Sequence, residues 1–240
     1  MRGELREARL VEGFATLADT LVEGYDVVDL LQNLVEICQD VLSVEAVGLL
    51  LADEGGELDL VASTSEDPRL VNAMQLDAEA GPCRLSFETG EQEALVGLSA
   101  LDDAPAGWFA FRRAAEQLGY GSVAAVPMRL REKRIGVLSL YRFEAEALSA
   151  ADLRAAQALA DVATIGILHE RVAREPDAVR NQLQRALNTR VVIEQAKGVL
   201  AHTHGVSTER AFELLRGYAR SNRLGLHEVA QRLVGRTLIF

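Results

Sequence analysis

The chain has 240 residues, 49% of them apolar and 25% charged, with only 5 prolines, a balance that excludes a disordered or fibrous polypeptide and suits one or two globular domains. No apolar run approaches a bilayer span, Met1-Arg2-Gly3-Glu4 opens no secretory leader, and the two cysteines, Cys38 and Cys83, are too few for a disulfide framework or a zinc cage, so a reducing cytoplasm is the expected setting. The net charge of −11 argues at first against nucleic acid, but residues 1–175 hold 15 Lys and Arg against 31 Asp and Glu, a formal −16, whereas residues 176–240 hold 10 against 5, a formal +5. Such asymmetry reads as an acidic module joined to a basic, anion-binding one.

Residues 5–22 and 29–42 carry apolar groups at helical spacing, the second through Leu30, Leu31, Leu34, Ile37, Cys38 and Val41. Two strand-like runs follow, 46–52 and 58–62, separated by Asp53-Glu54-Gly55-Gly56, which is hairpin turn chemistry. A loop-rich stretch with a short helical piece holds Gly81-Pro82-Cys83 and leads to a helix-like segment over 107–118. Two more runs, 122–128 and 135–142, flank the charged segment 129–134 and predict a second hairpin. Helices around hairpins predict an α+β domain with a mainly antiparallel sheet over residues 1–148.

Beyond residue 148 the pattern is helical, broken by the single proline Pro176. Ser149-Ala-Ala-Asp152 resembles a capping box with Asp in place of Glu. Leu153, Ala156, Ala160, Ala163 and Ile167 then step by three and four residues, which suits either a close coiled-coil seam between two copies or a helix packed on its own sheet. Both hold at once if the helix packs on its domain at one end and pairs beyond it. Residues 149–176 are therefore read as a long connecting helix, and 177–240 as an all-α three-helix bundle with stretches at about 177–203, 207–221 and 226–237. Gly205 stands at a helix C-terminus and Ser207 at the next N-cap.

In the second stretch, Ala211, Leu215 and Tyr218 share one side, flanked by Leu214 and Ala219. Arg216, Arg220 and Arg223 lie opposite, and only Arg216 has an acid at helical pairing distance, Glu213. Unpaired guanidiniums on an exposed stripe attract a phosphate backbone; the plainer alternative is a solvated basic face. In the first stretch, Arg190, Glu194 and Lys197 form an intrahelical trio worth about 0.2–0.5 kcal/mol per pair without any ligand. Gly198 costs a helix interior about 1 kcal/mol relative to Ala, so close approach of another helix or a ligand is expected there. With only Phe212, Tyr218 and Phe240 as aromatics, the bundle has no stacking platform, and physics alone leaves both duplex DNA and folded RNA open.

The segment Arg190-Val-Val-Ile193-Glu194-Gln195-Ala196-Lys197-Gly198-Val199-Leu200, followed by Ala211-Phe212, Leu215-Arg216, Ala219, Asn222 and Val229-Ala230, resembles the signature of ANTAR domains over about residues 178–237. The resemblance implies a three-helix RNA-binding module of bacterial transcription antiterminators, acting on paired stem-loops in nascent RNA. The signature and the stripe together nominate Arg190, Gln195, Lys197, Gly198, Arg216, Arg220 and Arg223 as RNA-binding residues. Gly81-Pro82-Cys83, Thr89-Gly90-Glu91, Trp108 with Phe111, Ser122-Val123 with Pro127, and Gly136-Val137-Leu138 with Leu140-Tyr141 resemble a GAF domain of the variety found ahead of ANTAR domains in actinobacteria. That resemblance, over roughly residues 12–170, implies small-molecule sensing or dimerisation.

Cys83 and Trp108 are the candidate ligand-binding residues, and the ligand itself is not legible. Arg84 beside Cys83 is a feature able to lower a thiol pKa, but an inert buried cysteine is the favoured reading. His169 is the one histidine of the acidic part and lies on the connecting helix, away from the region where haem would need an axial ligand. His202-Thr203-His204 supplies two ligands only and suits a helix C-terminus better than a metal, so no metal is expected. No phosphate loop, nucleophile elbow, kinase motif set or receiver domain is present, and no catalytic residue is nominated. The expectation is a cytoplasmic, dimeric, non-enzymatic regulator that requires no cofactor and binds RNA stem-loops under control of its acidic half. The alternatives are a DNA-binding sensor-regulator using the bundle as a helix-turn-helix, or a sensory interaction protein without nucleic acid.

Overall fold

Three strands are apolar on both faces, and that dictates the architecture. The computed structural model describes residues 2–19, 27–98, 105–173, 192–222, 224–235 and 237–238. Its strands are β1 (Ala46–Ala52), β2 (Leu58–Ser63), β3 (Glu93–Val96), β4 (Ser122–Leu130) and β5 (Lys133–Arg142). They form one sheet in the order β2-β1-β5-β4-β3, every neighbouring pair antiparallel. Val47, Leu49, Val126, Met128, Leu138 and Leu140 fill one core, and Leu50, Val123, Ala125, Val137 and Tyr141 fill another. Alternate residues of a strand point to opposite faces, so this sheet needs helices on both.

One face is covered by α1 (Arg2–Asp19), α2 (Val27–Leu42) and α6 (Ala150–Ala173), the other by α3 (Pro68–Ala80), α4 (Pro82–Thr89) and α5 (Phe109–Gln117). Both expected hairpins form. In the first, Asp53 Oδ1 accepts hydrogen bonds from the backbone N–H of Gly55 at 2.8 Å and Glu57 at 2.9 Å. In the second, the turn is Arg131-Glu132, with Arg131 at φ +56°. The stretch read as loop contains β3, a four-residue edge whose only buried side chain is Leu95 and whose pairing with β4 defines it. The short helical piece resolves into two helices, α3 and α4.

The cap of α6 forms with Asp in the place of Glu: Ser149 Oγ donates to Asp152 Oδ2 at 2.6 Å and accepts from Asp152 N–H at 3.1 Å. Ala156, Ala160, Ala163 and Ile167 are buried, and α6 packs against β4 and α2. Of the two readings of this seam, packing on the domain's own sheet is the one realised; the small side chains bring the helix down onto the strands. Among its described residues, α6 leaves one large apolar side chain exposed, Ile165. Residues 174–176 of the connecting segment lie outside the described residues.

A third core, separate from the other two, joins α7 (192–204), α8 (Thr208–Asn222) and α9 (Leu226–Val234) through Ala196, Leu200, Phe212, Leu215, Val229 and Leu233. Ser207 caps α8, its Oγ accepting from Arg210 N–H at 3.2 Å, and Gly205 takes a left-handed φ of +63° at the end of α7. Residues 177–191 of the first expected stretch are outside the described residues.

Because Ala160 is closed in by strand and helix, Ala160→Leu is expected to cost about 1–3 kcal/mol by overpacking, read as a lower urea midpoint. At an exposed coiled-coil seam the same change would raise the midpoint.

Candidate nucleic-acid interface

The bundle sits with its cationic side against the sheet domain. On α8 the buried face is Ala211, Phe212, Leu215 and Ala219; Phe212 rather than Tyr218 anchors it, and Tyr218 is only partly buried. Arg216 and Arg220, one turn apart, project across the gap to α2. Arg216 Nη2 lies 2.6 Å from Glu36 Oε1, and Arg220 Nη2 donates to Glu36 Oε2. The same Oε1 accepts from Gln32 Nε2, one turn earlier on α2, at 3.1 Å. The Glu36 side chain is 16% exposed, Arg216 24% and Arg220 65%. Burial works to raise the Glu36 carboxyl, but the hydrogen bond and charge of Arg216, with Gln32 and Arg220, outweigh it and hold the group below its ordinary range.

A second contact lies on the loop between β2 and α3. Lys197 Nζ, almost fully buried, donates to Glu66 Oε2 at 2.7 Å and to Glu194 Oε1 at 2.9 Å, and stands 5.7 Å from the centre of the Phe212 ring. Desolvation disfavours the ammonium, yet the two carboxylates more than compensate and raise its pKa. Between these contacts, Gly225 at the start of α9 approaches α2 so closely that a Cβ would collide with the Asp29 carboxylate. Clefts of about 290 Å³ and 320 Å³ flank the Glu36–Arg216 pair, the first bordered by Asn33 and Leu226 and the second by Asp40 and Gly217.

The other nominated residues are placed as follows. Glu213 pairs with Arg210 rather than with Arg216, because Arg216 is drawn to Glu36. Gln195 and Gly198 are exposed on α7, and nothing lies within 4 Å of where a Gly198 Cβ would be, so the expected close neighbour is absent among the described residues. Arg190 and Arg223 lie outside the described residues. His202 and His204 are exposed near the end of α7, and no group of three metal-ligating side chains occurs among the described residues.

In the sheet domain, Cys83 is fully buried, and burial together with the nearby Asp77 pushes its thiol well above the ordinary value. Arg84 does not activate it: its guanidinium pairs with Glu88 at 2.7 Å and donates to the Gly56 carbonyl at 3.0 Å. Trp108 is half-buried against the core under α3 and α5. The polar centre of that core is Asp77, which sequence reasoning missed. Its Oδ1 accepts from Cys83 N–H at 2.8 Å, and its Oδ2 accepts from Ser139 Oγ at 3.2 Å and Tyr141 OH at 3.1 Å. Gly81 makes this possible, since any Cβ there would strike the Asp77 side chain and backbone.

Fold and interface thus define a two-part chain, a helix-covered antiparallel sheet domain against which a three-helix bundle sets its cations. Residues 25–168 match the GAF domain family and residues 181–234 the ANTAR domain family. The chain belongs to the GAF-domain family and carries an ANTAR domain, the kind of module that binds RNA in antiterminators. Among solved structures it is similar to the GAF domain of an Acinetobacter phosphoenolpyruvate-protein phosphotransferase (20% identity, TM-score 0.51, covering 70% of this chain and 97% of that one). It is also similar to the corresponding domain from Coxiella burnetii (16%, 0.54, 69% and 96%) and to free methionine-R-sulfoxide reductase from Neisseria meningitidis (18%, 0.54, 72% and 95%). At these identities the likeness is one of fold. No curated protein matches the chain. No helix among the described residues is long and apolar enough to cross a membrane.

Burial raises the Asp77 carboxyl above its ordinary range, against the pull of Cys83, Tyr141 and Ser139. As pH rises past about 3.9, the unfolded chain gives up this proton first, so the Asp77 contribution to folding stability is fullest below that value and falls until the raised folded pKa is passed. Asp77→Asn is expected to remove the fall: urea midpoints of variant and parent converge at low pH and separate in the variant's favour at neutral pH.

Proposed function

We propose that this chain is a transcription antitermination regulator whose C-terminal bundle binds paired stem-loops in nascent RNA under control of its GAF domain. The observation that carries the reading is the cationic group Lys197, Arg216 and Arg220, gathered on one side of a bundle that matches ANTAR domains and satisfied by carboxylates from outside it. Three cations grouped on one side suit a polyanion, and Arg adds paired donors to its charge. Folded RNA is favoured over duplex DNA by the ANTAR assignment, and with Phe212 in the bundle core and Tyr218 packed against it no stacking face occurs among the described residues, which fits a structured rather than single-stranded target. Gln195 and Gly198 are exposed on other sides of α7 and, with Arg190 and Arg223, are assigned to RNA from the sequence. Residues 1–148 act as the sensor, 149–176 as the connector and 177–240 as the reader, in a cytoplasmic and non-enzymatic protein.

The protein acts as a homodimer, which makes the second hairpin contact intramolecular and multiplies affinity through effective concentration alone. With the α6 seam consumed inside its own domain, pairing falls to the outer sides of α1 and α6, which pack together and expose Val11 (69%) and Ile165 (50%).

Binding of the full chain to a tandem stem-loop RNA is expected to weaken steeply with salt. Arg216→Ala with Arg220→Ala should lower the slope of log K against log salt by about 0.7–0.9 for each phosphate that is no longer neutralised. Salt-titrated competition between hairpin RNA and duplex DNA decides the reading; equal affinity for both, or no salt dependence, overturns it.

A further inference from the structure

We propose that Glu36 and Glu66 stand where RNA phosphates would stand, so that the sensor and the RNA compete for one cationic surface. The proposal rests on the RNA-binding reading and specifies its regulation. Among the described residues of the bundle there are five Lys and Arg, of which two pair only within their own helix. Arg210 pairs with Glu213 and Arg232 with Glu228, each within its own helix. Arg216 and Arg220 reach the sheet domain at Glu36, and Lys197 reaches it at Glu66 while also pairing with Glu194 of its own helix.

The geometry at Glu36 is that of a phosphate site. One oxygen takes Arg216 and the other takes Arg220, as two guanidiniums would divide the non-bridging oxygens of a phosphodiester. Gln32 holds the carboxylate in place from its own helix, so the acid is oriented before the arginines arrive. Glu66 does the same for Lys197 from a separate element, giving two anionic points on one docking surface. Between them Gly225 lies directly against the Asp29 carboxylate, leaving no gap for a nucleic-acid strand. The docked and RNA-bound arrangements therefore exclude each other.

The docking is open to displacement at its Glu36 end. Arg220 is largely exposed, and the two clefts admit water and ions to the Glu36–Arg216 pair. Solvent-reached ion pairs contribute little net stability and are screened by salt. A hairpin offering several phosphates, or a change in the sensor that moves the β2–α3 loop and Glu66 with it, tips the balance toward the open form.

The test is a staple that fixes the docked form without touching any cation. In the full chain carrying Asp29→Cys and Gly225→Cys, a Cβ at 225 stands 3.1 Å from the Asp29 Cγ position, near where the new Sγ would lie. Gly225 has a φ of −63°, which suits cysteine, and native Cys38 and Cys83 are buried. The oxidised chain, its disulfide verified by mass, is expected to bind a tandem stem-loop RNA about tenfold or more weakly than the same chain reduced, because only the open fraction binds. Full-length Glu36→Gln/Glu66→Gln is expected to bind more tightly than the parent, with the gain shrinking as salt rises. Equal RNA affinity of the oxidised and reduced staple overturns the competition, as does a double variant no tighter than its parent. If no form, stapled, reduced or Gln-substituted, prefers hairpin RNA to duplex DNA, the RNA-binding reading itself has failed, and the competition with it.

Discussion

One carboxylate sets how the two halves of the chain sit together. Glu36 is under opposing forces: its removal from water disfavours charge, and Arg216, Gln32 and Arg220 restore it. A sheltered carboxylate without such donors takes up a proton or turns out into water. With them, the acidic and basic parts of the sequence become complementary surfaces rather than an average charge. Everything else at the interface, from the Lys197–Glu66 pair to the approach of Gly225, is arranged around that meeting of α2 with α8.

The carboxylate can act in this way because its helix cannot move freely. Leu30, Leu31, Leu34, Val35 and Cys38 bind α2 into the core on the sheet, and the outward turn then carries Gln32 and Glu36 four residues apart. Rotating α2 to withdraw Glu36 would expose that apolar row, at about 25 cal/mol per Å². The docking side is thus as firmly placed as the sheet. The same two-faced sheet explains the second core, where Asp77 ties α3 to β5 through Ser139 and Tyr141 and to the start of α4 through Cys83.

Local signals in the sequence carried most of the fold. The hairpins at 53–56 and 129–134, the cap at Ser149 and the Gly205–Ser207 break all depend on residues within a few positions of one another. The edge strand β3 was hidden because only Leu95 of its four residues is buried, leaving no alternation to read. Asp77 was legible in principle: Leu70, Ala73, Met74 and Ala78 mark the buried stripe of α3, and Asp77 interrupts it as a charge at a core position. The partners of the arginines were not. Glu194 lies within helical reach of Lys197 and could be anticipated, whereas Glu66 is 131 residues from Lys197 and Glu36 is 184 from Arg220. Helical spacing assigned Glu213 to Arg216 for want of that long-range information.

The sharing of one acid by two arginines makes the genetics of this chain lopsided. A lesion at Glu36 removes the partner of both guanidiniums at once and leaves the reader's own surface whole. A lesion at Arg216 or Arg220 weakens the docked arrangement and, under the proposed function, the RNA-bound one alike, so part of its cost would cancel. Under the proposed competition, constitutive alleles would concentrate in the second helix of the sheet domain and in the loop around Glu66, while alleles of the bundle would grade from mild to null. An unbiased screen for unregulated variants would then map the proposed off state onto the domain to which no RNA contact is assigned.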